Sequence, residues 1–132
     1  MEMLSQRVLL LGFGERSREP LEAILARQGR DVHALDFPPA SQCLGLIEQL
    51  SAGVVFCAAE HAQYRPMLEA VRKRPSPVPV VVVGRAEVAA WLDALEAGAS
   101  DYCSPPFEDA HVQWILQSAS RPRLAAQAGR AA

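Results

Sequence analysis

The chain has little of what several function classes need. Its three cysteines, Cys43, Cys57 and Cys103, are odd in number and form no CxxC pair. Neither a disulfide framework nor a tetrahedral zinc site is therefore expected. The three histidines, His33, His61 and His111, are scattered. Lys and Arg number 13 against 15 Asp and Glu, a net charge of −2. That balance argues against direct nucleic-acid binding, which needs a basic patch for counterion release. No apolar run is long enough to span a bilayer, and Val8 to Leu11 is short even for a signal-peptide core. The expected compartment is a reducing cytoplasm, with no membrane partner.

What is present describes one globular domain. Of 132 residues, 50% are apolar and 21% charged, which excludes a disordered chain, a collagen-like repeat and a coiled coil. A chain of this length buries roughly two-thirds of its unfolded surface, enough for a core without staples.

Short apolar runs alternate with amphipathic stretches. Arg7 to Leu11 ends at Gly12 and has the length of a strand buried on both faces. Ser17 offers a helix cap, with Pro20 placed in the first turn, Leu21, Ile24 and Leu25 at helical spacing, and Gly29 as the stop. Asp31 to Leu35 is a second strand, and Ser41 is the expected cap of a helix carrying Cys43, Leu44, Ile47 and Leu50. Gly53 to Ala58 is the third strand. Residues 64–74 form a helix with Met67, Ala70 and Val71 as its stripe, and Pro77 to Val83 holds four consecutive valines. Val88, Leu92 and Leu95 mark a fourth helix closed by Gly98. Ser100 to Cys103 is the last strand, and Glu108 to Ala119 the last helix. The order (βα)5 implies an α/β doubly wound sandwich around a five-stranded parallel sheet, with any site at the carboxyl ends of the strands. Residues 1–119 are expected to form the domain, and 120–132 a flexible tail or linker.

Two architectures of this kind compete. Gly12-Phe13-Gly14 follows the first strand and Asp36 ends the second. This is part of a dinucleotide fingerprint, in which glycines admit a pyrophosphate to a helix N-terminus and an acid holds the ribose. The third glycine is replaced by Ser17. A nucleotide- or dinucleotide-binding sensor using Gly12, Gly14 and Asp36 is the alternative.

The second match is broader. Leu95-Glu-Ala-Gly-Ala-Ser-Asp-Tyr102, followed by Cys-Ser-Pro-Pro-Phe107, is similar to the A-L-E-A-G-A-D-D-Y-L-x-K-P-F stretch of bacterial response-regulator receiver domains. Over residues 7–119 the chain resembles that family. Gly12 to Gly29 aligns without a gap, about two extra residues fall at Phe37-Pro38-Pro39, and the loop after the fourth strand is about one residue shorter. The resemblance implies the flavodoxin-like strand order 2-1-3-4-5 and a role in two-component phosphorelay signalling.

It also implies where the chemistry belongs. Receivers are phosphorylated on an aspartate ending the third strand. Two acids after the first strand hold Mg²⁺, and a Thr or Ser after the fourth strand and a Lys after the fifth contact the phosphoryl group. Here the acidic pair falls on Gly12 and Phe13, the acceptor on Ala58, the hydroxyl on Gly84 and the lysine on Pro105. A hard cation needs carboxylate oxygens and phosphoryl transfer needs an acceptor oxygen, so a degenerate pocket without phosphorylation, cofactor or metal is expected. Glu15, Glu60 and His61 lie nearby, with solvated loop residues as the plain explanation. Pro106 matches the family proline whose preceding bond is typically cis.

Tyr102 matches the family's switch aromatic. With Gly84 offering no side chain to block the ring, an inward position is expected, its hydroxyl needing a partner. On a helical wheel Trp114 lies roughly 150° from the stripe of Val112, Ile115, Leu116 and Ala119, and Trp91 flanks its own core face. The expectation is a pseudo-receiver that is not an enzyme and binds a protein partner or a second copy. Its surface would be the face of the fourth helix, fifth strand and fifth helix, with Trp91, Tyr102 and Trp114 on it.

Overall fold

The computed structural model describes residues 7–60, 63–75 and 77–119. The expected tail at 120–132 and His61 lie outside the described residues. Ten elements alternate: β1 (Arg7–Leu11), α1 (Glu15–Arg27), β2 (Asp31–Leu35), α2 (Ala40–Leu50), β3 (Val54–Ala58), α3 (Tyr64–Arg72), β4 (Val80–Val83), α4 (Val88–Glu96), β5 (Asp101–Cys103) and α5 (Asp109–Ala119). The strands form one parallel sheet in the order β2-β1-β3-β4-β5, the doubly wound arrangement that the alternation implies.

The central strands explain the layers. Val8 to Leu11, Val54 to Cys57 and Val80 to Val83 are all buried, so apolar side chains leave the sheet in both directions and each face requires a helical cover. One core holds Leu9, Leu11, Val55, Cys57 and Val82 against Ile47, Met67, Leu68 and Val71 of α2 and α3. The other holds Val8, Leu10, Phe56 and Val81 against α1 and α5 through Leu21, Leu25, Ile115 and Leu116. Arg27 reinforces the α1–α5 contact by donating to both carboxylate oxygens of Asp109, at 3.1 and 2.9 Å. The pair is solvent-exposed, so packing rather than charge carries this contact.

Local details depart from the sequence reading. Helix α1 starts at Glu15 with Gly14 as its cap, so Ser17 is not the cap and Pro20 lies inside the helix. Pro20 and Arg16, four residues before it, are exposed, and water can satisfy the carbonyl that the missing N–H leaves free. Ser41 does not cap α2. The helix begins at Ala40, whose N–H donates to Gln63 Oε1 at 2.9 Å, a cap supplied by a distant segment. Helix α3 ends at Arg72 and buries Tyr64, Met67, Leu68 and Val71 in place of the Met67-Ala70-Val71 stripe. β4 spans only Val80–Val83, because Pro77 and Pro79 lack the N–H a ladder needs.

The largest departure is α4. Its stripe of Val88, Leu92 and Leu95 is exposed, Val88 by 67%. Ala94 alone is buried, with Ala90 and Ala97 packed beside it. A face of small residues lets the helix approach the sheet closely, and its large apolar residues are left outward.

Two substitutions contrast the exposed stripe of α4 with the buried face of α5. Leu92→Ser is expected to shift stability by no more than about 0.5 kcal/mol, as for an exposed site. Leu116→Ala, fully buried, is expected to cost about 2–5 kcal/mol. Urea denaturation of both variants checks the contrast.

Candidate functional site

Parallel strands end together, and here their carboxyl ends open on a cavity of about 190 Å³. Leu11 and Cys57 are register partners across β1 and β3, as are Ala58 and Val83 across β3 and β4. The ladder continues past the strand ends: Gly12 N–H donates to the Leu35 carbonyl at 3.1 Å, Ala59 N–H to Val83 at 2.8 Å, and Gly84 N–H to Cys103 at 3.0 Å. These bonds bring Gly12, Phe13, Ala58, Gly84 and Pro105 to the wall of the one cavity, together with Gly14, Ser17, Val83, Glu60 and Arg85. The Pro105–Pro106 bond is cis.

Chemically the cavity is poor. The expected acceptor position is Ala58, with no oxygen to phosphorylate, and the metal positions are Gly12 and Phe13. Glu60 is the one carboxylate on the wall among the described residues. A lone carboxylate does not fit a divalent cation, which takes six or more oxygens with several acidic ligands. Glu15 opens α1 and does not line the cavity.

The dinucleotide alternative divides in space. Gly12 and Gly14 line this cavity, whereas Asp36 lines a separate one of about 60 Å³ with Phe13 and Arg18. The glycine at position 12 has a structural cause. Its φ is +81°, and a Cβ there would stand 2.9 Å from Phe37 Cδ2, so conformation and close packing both demand glycine.

Tyr102 lies beside the cavity, 8% exposed. Its hydroxyl donates to the Arg85 carbonyl at 2.6 Å. Burial, and then the nearby Glu87 charge, push the phenol pKa up, which keeps the proton that makes this bond. Gly84 makes the ring's position possible: a Cβ at residue 84 would come 2.5 Å from the Tyr102 hydroxyl and 2.8 Å from Ala59 Cβ. The buried ring and a side chain at position 84 exclude each other. The sequence already sets Gly84 against an inward Tyr102; the structure adds the distances and the Arg85 carbonyl as the hydroxyl's partner.

On the expected contact face Tyr102 is present only as a largely buried part of a groove wall. The surface beyond it belongs to Trp91 and to Trp114, the latter 56% exposed. Between α4 and α5 a groove of about 470 Å³ is lined by Val88, Trp91, Tyr102, Cys103, Pro106 and the flanking Glu87, Glu108 and His111. The cysteines are inert by environment: burial pushes Cys43 up to about 11 and Cys57 and Cys103 up to about 12, so none is a thiolate nucleophile at neutral pH.

A double-mutant cycle tests the exclusion. Tyr102→Phe removes one hydrogen bond and is expected to cost about 0.5–1.5 kcal/mol. Gly84→Ala is expected to cost about 1–3 kcal/mol as overpacking, and less in the Tyr102→Phe background, since the hydroxyl is the nearest obstacle. Denaturation midpoints of the four proteins give the coupling.

No family model matches the chain, and no curated protein matches it in sequence. Solved structures do. A crystal structure of a candidate response regulator from Chloroflexus aurantiacus superposes with a TM-score of 0.75 at 21% identity, covering 89% of this chain and 99% of that one. The signal receiver domain of a response regulator from Bermanella marisrubri gives 0.72 at 15% identity, over 89% and 99%. The BeF3-activated receiver domain of RstA from Klebsiella pneumoniae gives 0.72 at 16%, over 87% and 99%. With strand order, helix placement and length all in agreement, the chain has the flavodoxin-like fold of response-regulator receiver domains.

Proposed function

We propose that this chain is a response-regulator-type signalling module of bacterial phosphorelay systems that works by protein contact and not by phosphoryl transfer. The observation that supports this reading is the composition of the cavity: Gly12, Phe13, Ala58, Gly84 and Pro105 meet where the receiver resemblance puts metal, acceptor, hydroxyl and lysine. The module is not an enzyme in this reading. Its output does not wait for a phosphoryl group, because Tyr102 is already held inward by the Arg85 carbonyl with Gly84 leaving room. Tyr102 acts as a fixed switch residue, and the α4–β5–α5 face, with Trp91 and Trp114 outward, is the contact surface. Among the described residues no helix is long and apolar enough to cross a membrane.

Two measurements test the proposal. With Mg²⁺ and either acetyl phosphate or beryllofluoride, the amide NMR spectrum is expected to stay unchanged around Gly12, Ala58 and Gly84. Shifts clustered at those strand ends would overturn it. Trp114→Ala is expected to leave stability within about 0.5 kcal/mol and to weaken partner binding by about 1 kcal/mol or more, as for an interface anchor. A large loss of stability would instead place Trp114 in a structural role.

A further inference from the structure

The surface around α4, β5 and α5 has an unusual charge pattern. Between Arg85 and Arg121 the sequence contains no Lys or Arg, and it carries Glu87, Asp93, Glu96, Asp101, Glu108 and Asp109. Asp109 is answered by Arg27 of α1, and Asp101 accepts the Tyr102 N–H at 2.7 Å. Glu87, Asp93, Glu96 and Glu108 have no cationic partner among the described residues. Cations of neighbouring elements stay at the margins. Arg85 lines the cavity at the strand ends, and Arg72 lies at the far end of α4, against Gly98 and in a cavity shared with Leu95 and Glu96.

Among these acids lies the apolar surface that α4 fails to bury. Val88, Trp91, Leu92 and Leu95 follow i, i+3, i+4, i+7 spacing, so they form one continuous stripe along the helix. Val88 and Trp91 continue into the groove toward α5, which is lined by the buried Tyr102 and Cys103 and by the exposed Pro106, Glu87 and Glu108. Trp114 stands on the outer side of α5, about 60° around the helix from His111, which lines the same groove.

A second copy is a poor occupant. A two-fold contact is isologous and sets the same patch against itself. Here it would bring Glu87, Asp93, Glu96 and Glu108 toward their own equivalents with no Lys or Arg between Arg85 and Arg121 to answer them, and like charges across an interface cost affinity. An apolar stripe bordered by unanswered carboxylates is complementary to an amphipathic segment with one apolar side and cationic flanks.

We propose that the α4–β5–α5 groove binds an amphipathic, Lys- or Arg-bearing helical segment of a different protein. The apolar side of that segment lies on Val88, Trp91, Leu92 and Leu95, and its cations lie against Glu87 and Glu108. The proposal rests on the reading of this face as a protein-contact surface and names the chemistry of the partner.

The test uses the full chain and synthetic peptides. One is a leucine–lysine peptide with leucines at i, i+3, i+4 and i+7, the second has the same composition in scrambled order, and the third has glutamate in place of lysine. Emission from Trp91 and Trp114, the two tryptophans of the chain, reports coverage. The amphipathic lysine peptide is expected to shift the emission to the blue. It should bind at least about tenfold more tightly than the scrambled one, and lose about tenfold or more with Glu87→Gln/Glu108→Gln and again at high salt. The glutamate peptide should not bind. Equal binding of the scrambled peptide, or indifference to the two Gln substitutions, would overturn the proposal. Sedimentation of wild type and Leu92→Asp separates the remaining outcomes. Self-association abolished by Leu92→Asp would make the occupant a second copy, overturning the proposal while leaving the face a protein-contact surface. Neither peptide binding nor self-association would overturn both.

Discussion

The structure depends on one constraint: the three central strands carry apolar side chains on both faces. β1, β3 and β4 are buried almost throughout, and a sheet of that kind is stable only when helices cover it twice. Right-handed crossovers then place α1 and α5 on one side and α2, α3 and α4 on the other, and leave the carboxyl ends of the strands as a common rim. The cavity of Gly12, Ala58 and Gly84 is a consequence of that geometry. So is the inertness of the thiols, since Cys57 and Cys103 sit on strands inside the sandwich.

At the rim, packing accounts for two of the glycines. Gly12 is needed for its positive φ and for the approach of Phe37, and Gly84 is needed for the Tyr102 ring. Two of the residues at the expected phosphorylation positions, Gly12 and Gly84, are thus explained by the shapes of their neighbours. Tyr102 is the clearest instance. Its ring fills the space beside Gly84, its hydroxyl finds the Arg85 carbonyl, and a buried phenol is stable there because its one polar group is satisfied.

Helix α4 shows the opposite economy. It touches the core through Ala90, Ala94 and Ala97 and turns its largest apolar residues to solvent. Exposed apolar residues scattered singly need no explanation, but four in one stripe beside a groove form a patch of the kind that marks contact surfaces. Acidic residues border that patch, which limits aggregation and narrows what can cover it.

The sequence by itself determined the alternation of strands and helices. Buried parallel strands are continuous apolar runs such as Val80 to Val83, and the helices that cover them repeat at 3.6 residues. It also carries the expectation of a pocket without phosphorylation chemistry, because the absence of a carboxylate at Ala58 is a matter of residue identity. What it misplaced were features whose partners lie far away in the chain. Ser41 looks like a cap, yet Gln63 serves α2. Val88, Leu92 and Leu95 have the spacing of a core stripe, yet periodicity records only that a helix has an apolar side. Which side meets the sheet was decided by tertiary packing, where the small Ala90-Ala94-Ala97 face allows the closer approach to β4 and β5. Tyr102 is a mixed case. Its inward position beside Gly84 was legible in the sequence through the family resemblance, but the partner of its hydroxyl, the Arg85 carbonyl, and the 2.5 Å that would separate that hydroxyl from a Cβ at residue 84 come only from the fold.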